Sequence, residues 1–118
     1  MTNVADMVEY YYKTAGITPD VSTCMGLVIE EFFEWKDETE FEDCRTKLDG
    51  ELKELADLIY VVYGYAQSRG WNLNEAVYRV HCNNLERQRQ DDGTILRNEA
   101  GKIIKNPKAP KVNLEDLV

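Results

Sequence analysis

The fold follows from residues 50–68, which read GELKELADLIYVVYGYAQS. Apolar side chains recur at every turn of this segment from Leu52 through Tyr65, so a helix formed by it is apolar nearly all round. Such a helix belongs in the interior of a helical domain. We therefore expect residues 50–68 to form the buried central helix of the fold, ending before Gly70.

Three further helices are predicted around this segment. Apolar residues recur every three to four positions in about residues 3–15, 21–36 and 73–88, and a polar link follows the second of these segments. Gly16 would end the first helix, and Asp20 or Ser22 would cap the start of the second. Asn72 and Glu75 would form a capping box at the start of the last helix. The pattern predicts an all-α fold in which residues 1–90 form a four-helix bundle.

Residues 91–118 have a different pattern. Turn-forming residues, Asp92-Gly93 and 98–101, flank the two short apolar stretches 94–96 and 102–104. They predict a short C-terminal β-hairpin, and Pro107 and Pro110 then stiffen an extended tail. We expect the hairpin and tail to belong to the same single domain, residues 1–118, because a chain of this length has room for one core.

The composition of the chain argues against a membrane protein and against a nucleic-acid-binding protein. The chain is 43% hydrophobic with a formal net charge of −8, and no run of residues is apolar enough for a membrane span. Its cysteines are odd in number and far apart, which favours reduced thiols; they are Cys24, Cys44 and Cys82. We expect a cytoplasmic protein that binds neither a membrane nor nucleic acid, because a net acidic surface repels a phosphate backbone.

The charges are unevenly distributed along the chain. Residues 30–57 contain twelve of the 22 acidic residues, whereas residues 87–111 contain seven of the 14 basic residues. An acidic middle followed by a basic segment suggests two sides of one site, for a ligand that brings both a metal ion and phosphate.

Four carboxylates form the most informative pattern. They are Glu31 and Glu34 on the second predicted helix and Glu54 and Asp57 on the third, and each pair is three residues apart, on one helical face. A divalent cation would relieve the repulsion within the pairs, and oxygen ligands of this kind favour Mg²⁺ or Mn²⁺. A solvated acidic face is the alternative, but Glu54 and Asp57 lie in the most apolar helix of the chain.

The sequence also resembles a known family. The arrangement EExxE (residues 30–34), a 19-residue spacer and ExxD (54–57) resembles the signature of the MazG-like superfamily of all-α nucleoside triphosphate pyrophosphohydrolases. Residues 80–87, with the turns and basic residues that follow, look like the small phage-type members with their His-x-x-Asn helix. The resemblance covers about residues 21–117, and it departs at Arg87, where the family has lysine.

The resemblance implies an enzyme with a MazG-like bundle that hydrolyses a nucleoside triphosphate to the monophosphate and pyrophosphate with Mg²⁺, or with Mn²⁺ in its place. A purine deoxynucleotide is the leading substrate, dGTP first and dATP next. We expect a homodimer or homotetramer, which the apolar third helix also favours, and the host cytoplasm as the location if the protein is phage-encoded.

The carboxylate pattern and the family resemblance together imply roles for individual residues in metal binding, catalysis and substrate binding. Glu31, Glu34, Glu54 and Asp57 are the expected metal ligands, and Glu30 and Glu34 are the candidate catalytic residues, with Glu30 orienting or deprotonating the attacking water. The candidate substrate-binding residues are Lys53, Tyr60, Asn84, Arg87, Arg97 and Lys102, with Lys105 as a further basic group.

Two alternatives remain open. The enzyme could act on dUTP, dCTP or a phosphoribosyl-ATP, since residue spacing excludes none of these substrates. The chain could also be a non-catalytic helical interaction module whose acidic face binds a basic partner.

Overall fold

A computed structural model describes residues 3–40 and 48–118 of the chain. Within these residues the chain forms four α-helices and one short 3-10 helix. They are α1 (Val4–Ala15), α2 (Val21–Glu40), α3 (Leu48–Ser68), α4 (Leu73–Arg87) and the 3-10 helix Glu115–Leu117. The predicted all-α class is confirmed, although α2 continues through residues 37–40, where the sequence predicts a polar link.

Side chains at the helix ends satisfy backbone groups that a helix leaves unpaired. Asn3 Oδ1 accepts a hydrogen bond of 3.0 Å from the Asp6 N–H at the start of α1. At the start of α2, Asp20 Oδ2 accepts bonds from the Thr23 N–H and hydroxyl, and these bonds lower the pKa of Asp20. Gly16 ends α1 with a φ of 69°, a conformation that glycine adopts without a steric penalty.

The chain divides into two compact units, Met1–Leu73 and Asn74–Val118. Helices α1, α2 and α3 belong to the first unit, and nearly all of α4 belongs to the second together with the segment that follows it. The single domain expected for residues 1–118 stays a prediction.

Helix α3 is central in the first unit, because it packs against both α2 and α1. A Cβ built on Gly64 of α3 would lie only 3.0 Å from the Tyr12 hydroxyl of α1. That hydroxyl lies 3.7 Å from Cys24 Sγ of α2, and burial, followed by this contact, raises the pKa of Tyr12 to about 12. The buried apolar residues of the described chain are Val8, Cys24 and Ala66.

Two stripes of apolar side chains remain exposed on the first unit. The α2 stripe consists of Met25, Ile29, Phe32 and Phe33, and the α3 stripe consists of Leu48, Leu52, Leu55 and Ile59. Each of these side chains is between 40% and 78% exposed, and spacings of three or four residues place each set on one side of its helix. The prediction that α3 is buried throughout is therefore wrong for its N-terminal half.

The two tryptophans lie in different surroundings within the first unit. Trp35 is half-buried on α2, and its ring centroid lies 6.0 Å from that of Phe32. Trp71 follows α3 and meets Tyr65 edge-on, with the ring centroids 6.1 Å apart. The Arg69 guanidinium lies 5.6 Å from the centroid of Trp71, which is a cation–π contact.

The predicted C-terminal β-hairpin is not formed by the residues that the structure describes. An isolated antiparallel bridge pairs Arg97 with Ile103, but no strand extends from it. Backbone bonds from Asn98 to Lys102 and from Ile104 to Leu96 flank the bridge. Beyond them the chain bonds to Gln90, which follows α4: the Gln90 N–H donates to the Thr94 carbonyl at 2.8 Å, and the Gln90 side chain donates to the Ile104 carbonyl at 3.0 Å.

The C-terminal tail lies against α4. The Asn83 side chain donates a hydrogen bond to the Pro110 carbonyl at 2.7 Å. The Arg79 guanidinium donates to the Asn113 carbonyl and to both carboxylate oxygens of Asp116, a bidentate pair that lowers the pKa of Asp116. The tail is therefore fixed along most of its length by side chains of one helix.

None of the helices in residues 3–40 and 48–118 combines the length and the apolar character that crossing a membrane requires. Cys24 and Cys82 carry free thiols. Cys44, which is also predicted to be reduced, lies outside the described residues.

Candidate metal centre

The inward face of α2 carries a glutamate in an otherwise apolar row. Cys24, Val28, Glu31 and Trp35 recur every three or four residues and are all buried or half-buried, which shows that this face packs into the unit. Because α2 packs mainly against α3, the Glu31 carboxylate is directed toward α3.

Two carboxylates of α3 meet Glu31. Glu54 and Asp57 lie one helical turn apart and both are half-buried. One carboxylate oxygen from each of Glu31, Glu54 and Asp57 lies within 4.8 Å of the other two. The packing of α2 on α3 therefore brings three of the four predicted metal ligands into one cluster, which we call the carboxylate triad.

The triad contains oxygens that lack a partner. Glu31 Oε2 and Glu54 Oε2 are buried and accept no hydrogen bond from any part of the chain that the structure describes. Burying a charged oxygen in this way is costly, and a cation bound between the helices would remove the cost. Oxygen donors from two rigid helices fit a hard divalent cation, so the residues present fit Mg²⁺ or Mn²⁺.

The electrostatics of Glu31 reflect the same crowding of negative charge. The pKa of Glu31 is raised from 4.5 to about 7. Burial is the largest cause, followed by a hydrogen bond with Glu34 and then by the charges of Glu34, Asp57 and Glu54. Without a cation, Glu31 therefore holds a proton up to nearly neutral pH.

Lys53 supplies positive charge beside the triad. Its Nζ lies 2.7 Å from Asp57 Oδ2 and 3.7 Å from Glu54 Oε1. The hydrogen bond with Asp57, and then the charges of Asp57 and Glu54, raise the pKa of Lys53. Since its side chain is 68% exposed, the ammonium group stands at the solvent side of the carboxylates.

The other predicted residues of the first unit have different surroundings. Glu34 is exposed and lies outside the triad, although it contacts Glu31. Glu30 is also exposed and lies outside the triad. Tyr60 is half-buried in the packing of α3 on α1, with its ring centroid 5.9 Å from that of Tyr11, and burial raises the pKa of Tyr60.

The remaining predicted substrate-binding residues lie in the second unit. Asn84, Arg97 and Lys102 line one cavity of about 450 Å³, and Gln88 and Lys105 line it as well. Arg87 is half-buried, and its Nε is buried without a hydrogen-bond partner in the described part of the chain.

Gln88 lines the cavity but is not among the binding residues predicted from the sequence. It lies four positions after Asn84, at the end of α4, so both amides are on one helical face. This spacing is visible in the sequence, but an amide pair at a helix end has no signature that separates it from ordinary surface residues.

No protein-family model matches the chain, and no curated protein is found to match it.

Proposed function

We propose that the protein is a Mg²⁺-dependent pyrophosphohydrolase that converts a nucleoside triphosphate to its monophosphate and pyrophosphate. The observation that carries this proposal is the carboxylate triad: Glu31, Glu54 and Asp57 converge within 4.8 Å, and two of their oxygens are buried without a hydrogen bond from the described residues. A structural role does not require three carboxylates to meet in this way. The resemblance of EExxE and ExxD to the MazG-like signature supports the same function.

The proposed reaction adds water across the α–β phosphoanhydride bond. When bound by the triad, Mg²⁺ or Mn²⁺ would supply positive charge to the phosphates and lower the pKa of water. Glu30 orients or deprotonates the attacking water, and the exposed Glu34 carboxylate, in contact with Glu31, extends the acidic surface and completes the ligand set. Lys53, at the solvent side of the triad, contacts a phosphate oxygen of the substrate.

The proposed substrate is a purine deoxynucleoside triphosphate, dGTP first and dATP next. This preference rests on the resemblance of residues 80–118 to small phage-type members of the superfamily. The alternatives dUTP, dCTP and a phosphoribosyl-ATP have the same phosphoanhydride chemistry, so a panel of triphosphates decides between them.

We also propose that the functional form is a homodimer or a homotetramer. The α2 and α3 stripes expose eight apolar side chains, whereas three apolar residues are buried in the described chain. A second copy of the chain would cover these stripes and add apolar burial that one copy lacks.

Pyrophosphate release is the measurement that tests the enzymatic function. Wild-type protein with Mg²⁺ should release pyrophosphate selectively from one nucleotide in a panel of dNTPs and NTPs, and EDTA should abolish the release. Glu54→Gln and Asp57→Asn should each lower turnover at least about a hundredfold, because each substitution removes a metal-binding charge. Circular dichroism would verify that both variants remain helical.

Asp49→Asn is a matched control on the same helix, since Asp49 is exposed and lies outside the triad. It should retain wild-type turnover. An acidic interaction module would give a different result: no nucleotide would be hydrolysed, and binding to a basic partner would weaken equally in Asp49→Asn and Asp57→Asn.

A further inference from the structure

The cavity in the second unit has the size of a small-molecule site. Its volume is about 450 Å³, and sites for small ligands measure roughly 300–1,000 Å³. Asn84 on α4 and Gln88 directly after α4 form one side, and Arg97, Lys102 and Lys105 come from the segment that follows. We call it the basic pocket.

A bonded turn holds the basic residues of the pocket in place. Asn98 Oδ1 accepts hydrogen bonds from the N–H groups of Ala100 and Lys102, both at 2.9 Å, and the Asn98 N–H donates to the Lys102 carbonyl. Gly101 within this turn has a φ of 81°, a conformation that favours glycine. The backbone around Lys102 is therefore fixed before any ligand binds.

The segment is also fastened to α4. The Asn106 N–H donates to the Arg87 carbonyl at 2.8 Å, and the side chain of Asn106 donates to Asp91 at 2.9 Å. These bonds lie directly after Lys105, so they position it relative to the end of α4. Because the backbone that carries the basic residues is already fixed, its ordering adds little to the entropy cost of binding a ligand.

The polar groups of the basic pocket have no partners in the described part of the chain. Neither the amides of Asn84 and Gln88 nor the charged groups of Arg97, Lys102 and Lys105 form a side-chain hydrogen bond or an ion pair there. Two other cations of the same unit are paired: Lys108 lies 3.3 Å from Asp91, and Arg79 binds Asp116. Among the residues that the structure describes, no acidic side chain lines the pocket, whereas three basic ones do.

We propose that the basic pocket binds a phosphate chain, with Arg97, Lys102 and Lys105 as the phosphate-binding residues, and that it does so without a divalent metal ion. Three cations without acidic neighbours attract an anion of high charge, and charge-assisted hydrogen bonds hold its oxygens. Asn84 and Gln88 donate and accept hydrogen bonds at the base or sugar of the ligand. The identification of the ligand as a nucleoside triphosphate rests on the proposed function, but binding of the phosphate chain does not.

Inorganic tripolyphosphate is the probe that tests the pocket. The full-length protein in EDTA should bind it, as measured by isothermal titration calorimetry, and the affinity should fall with added salt. The double variant Lys102→Gln/Lys105→Gln should bind about a hundredfold more weakly, since each of the two charge-assisted bonds contributes roughly a factor of ten. Arg97→Gln should weaken binding about tenfold.

Lys108→Gln/Lys111→Gln is the matched control, because it changes the net charge equally within the same tail at residues that do not line the pocket. It should keep the wild-type affinity within about twofold. Equal losses in both double variants would show a general charge effect and overturn the proposal, as would a wild-type protein that does not bind tripolyphosphate in EDTA.

Two further variants separate this proposal from the proposed enzymatic function. Glu54→Gln should lose hydrolysis but keep tripolyphosphate binding in EDTA. Gln88→Ala should weaken binding of a nucleoside triphosphate without changing that of tripolyphosphate. If tripolyphosphate binds through the lysines but no nucleotide is hydrolysed, the proposed enzymatic function is wrong and the phosphate-binding pocket is supported. If a nucleotide is hydrolysed but tripolyphosphate does not bind, the pocket proposal is wrong and the enzymatic function is supported.

Discussion

At the scale of single residues, a proton and the proposed metal ion would compete for the Glu31 carboxylate. Its pKa of about 7 in the folded protein exceeds the ordinary value of 4.5. In the metal-free protein, protonation of Glu31 therefore stabilises the fold fully below pH 4.5, and this contribution is lost as the pH rises to about 7. A cation binds the ionised form, so its affinity increases over the same interval.

This competition predicts the pH dependence of metal binding. The affinity for Mn²⁺ should rise by about tenfold for each pH unit from about pH 5 to about pH 7 and then level off, because one proton leaves as the ion binds. Calorimetry in buffers of different ionisation enthalpy would measure both the affinity and the released proton. Glu31→Gln should bind the ion more weakly and without this pH dependence. An affinity of the wild type that is constant over this range would contradict the prediction.

At this scale, much of the candidate site follows from the sequence. The spacing of Glu54 and Asp57 fixes their common face because a helix has one geometry, and the row that includes Glu31 fixes the inward face of α2. The position of Glu34 did not follow, because Glu31 and Glu34 have the same spacing as Glu54 and Asp57, and which member of a pair faces the neighbouring helix depends on how the two helices pack. The ion pair between Lys53 and Asp57 joins residues four apart on one helix, a spacing that is visible in the sequence.

At the scale of secondary-structure elements, the close packing of α1 on α3 depends on Gly64. A methyl group there would lie 3.0 Å from the hydroxyl and 3.4 Å from a ring carbon of Tyr12, a hydroxyl that also contacts Cys24 Sγ at 3.7 Å. We expect Gly64→Ala to lower the free energy of unfolding by about 1 kcal/mol, since overpacking of roughly 1–3 kcal/mol exceeds the gain of about 1 kcal/mol in helix propensity.

Gly26→Ala is the control for this substitution, because, apart from the adjacent residues and backbone of α2 itself, no atom of the described chain lies within 4 Å of a Cβ built on Gly26. It should raise the free energy of unfolding by up to about 1 kcal/mol through helix propensity alone. Urea denaturation of both variants at one protein concentration would give the two values. Equal stabilisation by the two alanines would mean that Tyr12 moves aside without cost.

The elements themselves were predictable to different degrees. Helices α1, α3 and α4 follow from apolar periodicity and from capping residues, which act locally. The β-hairpin prediction failed although its turn residues are correct: Asn98 and Gly101 do form a turn. Its flanks bond to Gln90, in the segment that follows α4, and this pairing depends on tertiary structure that local sequence does not encode.

At the scale of the whole molecule, the exposed stripes predict self-association. Wild-type protein should sediment as a dimer or tetramer, and Ile29→Asp in the α2 stripe or Leu52→Asp in the α3 stripe should weaken the assembly by at least about a hundredfold, because each buries an unpaired charge. Ile17→Asp is a control at an exposed apolar residue outside both stripes. Analytical ultracentrifugation would give the masses. A wild-type monomer at every concentration would contradict the prediction.

The sequence indicates that some apolar side chains of α3 stay exposed in one copy of the chain, but it does not show on which side of the helix they lie. The apolar content of α3 predicts that one copy of the chain has difficulty covering it, and Leu48 and Leu52 are indeed largely exposed. Which side of the helix is left open depends on where α1 and α2 pack, and hence on the fold.

The position of Trp35 gives the protein a spectroscopic reporter. This indole lies one helical turn beyond Glu31 on the inward face of α2, whereas the other indole, Trp71, is stacked with Arg69 beyond the end of α3. The fluorescence of an indole depends on nearby charges. Cation binding to the carboxylate triad, or its protonation, should therefore change the emission of Trp35 more than that of Trp71. Replacing Trp71 with phenylalanine would leave a single emitter, and cation titrations could then be followed optically without a label or a substrate.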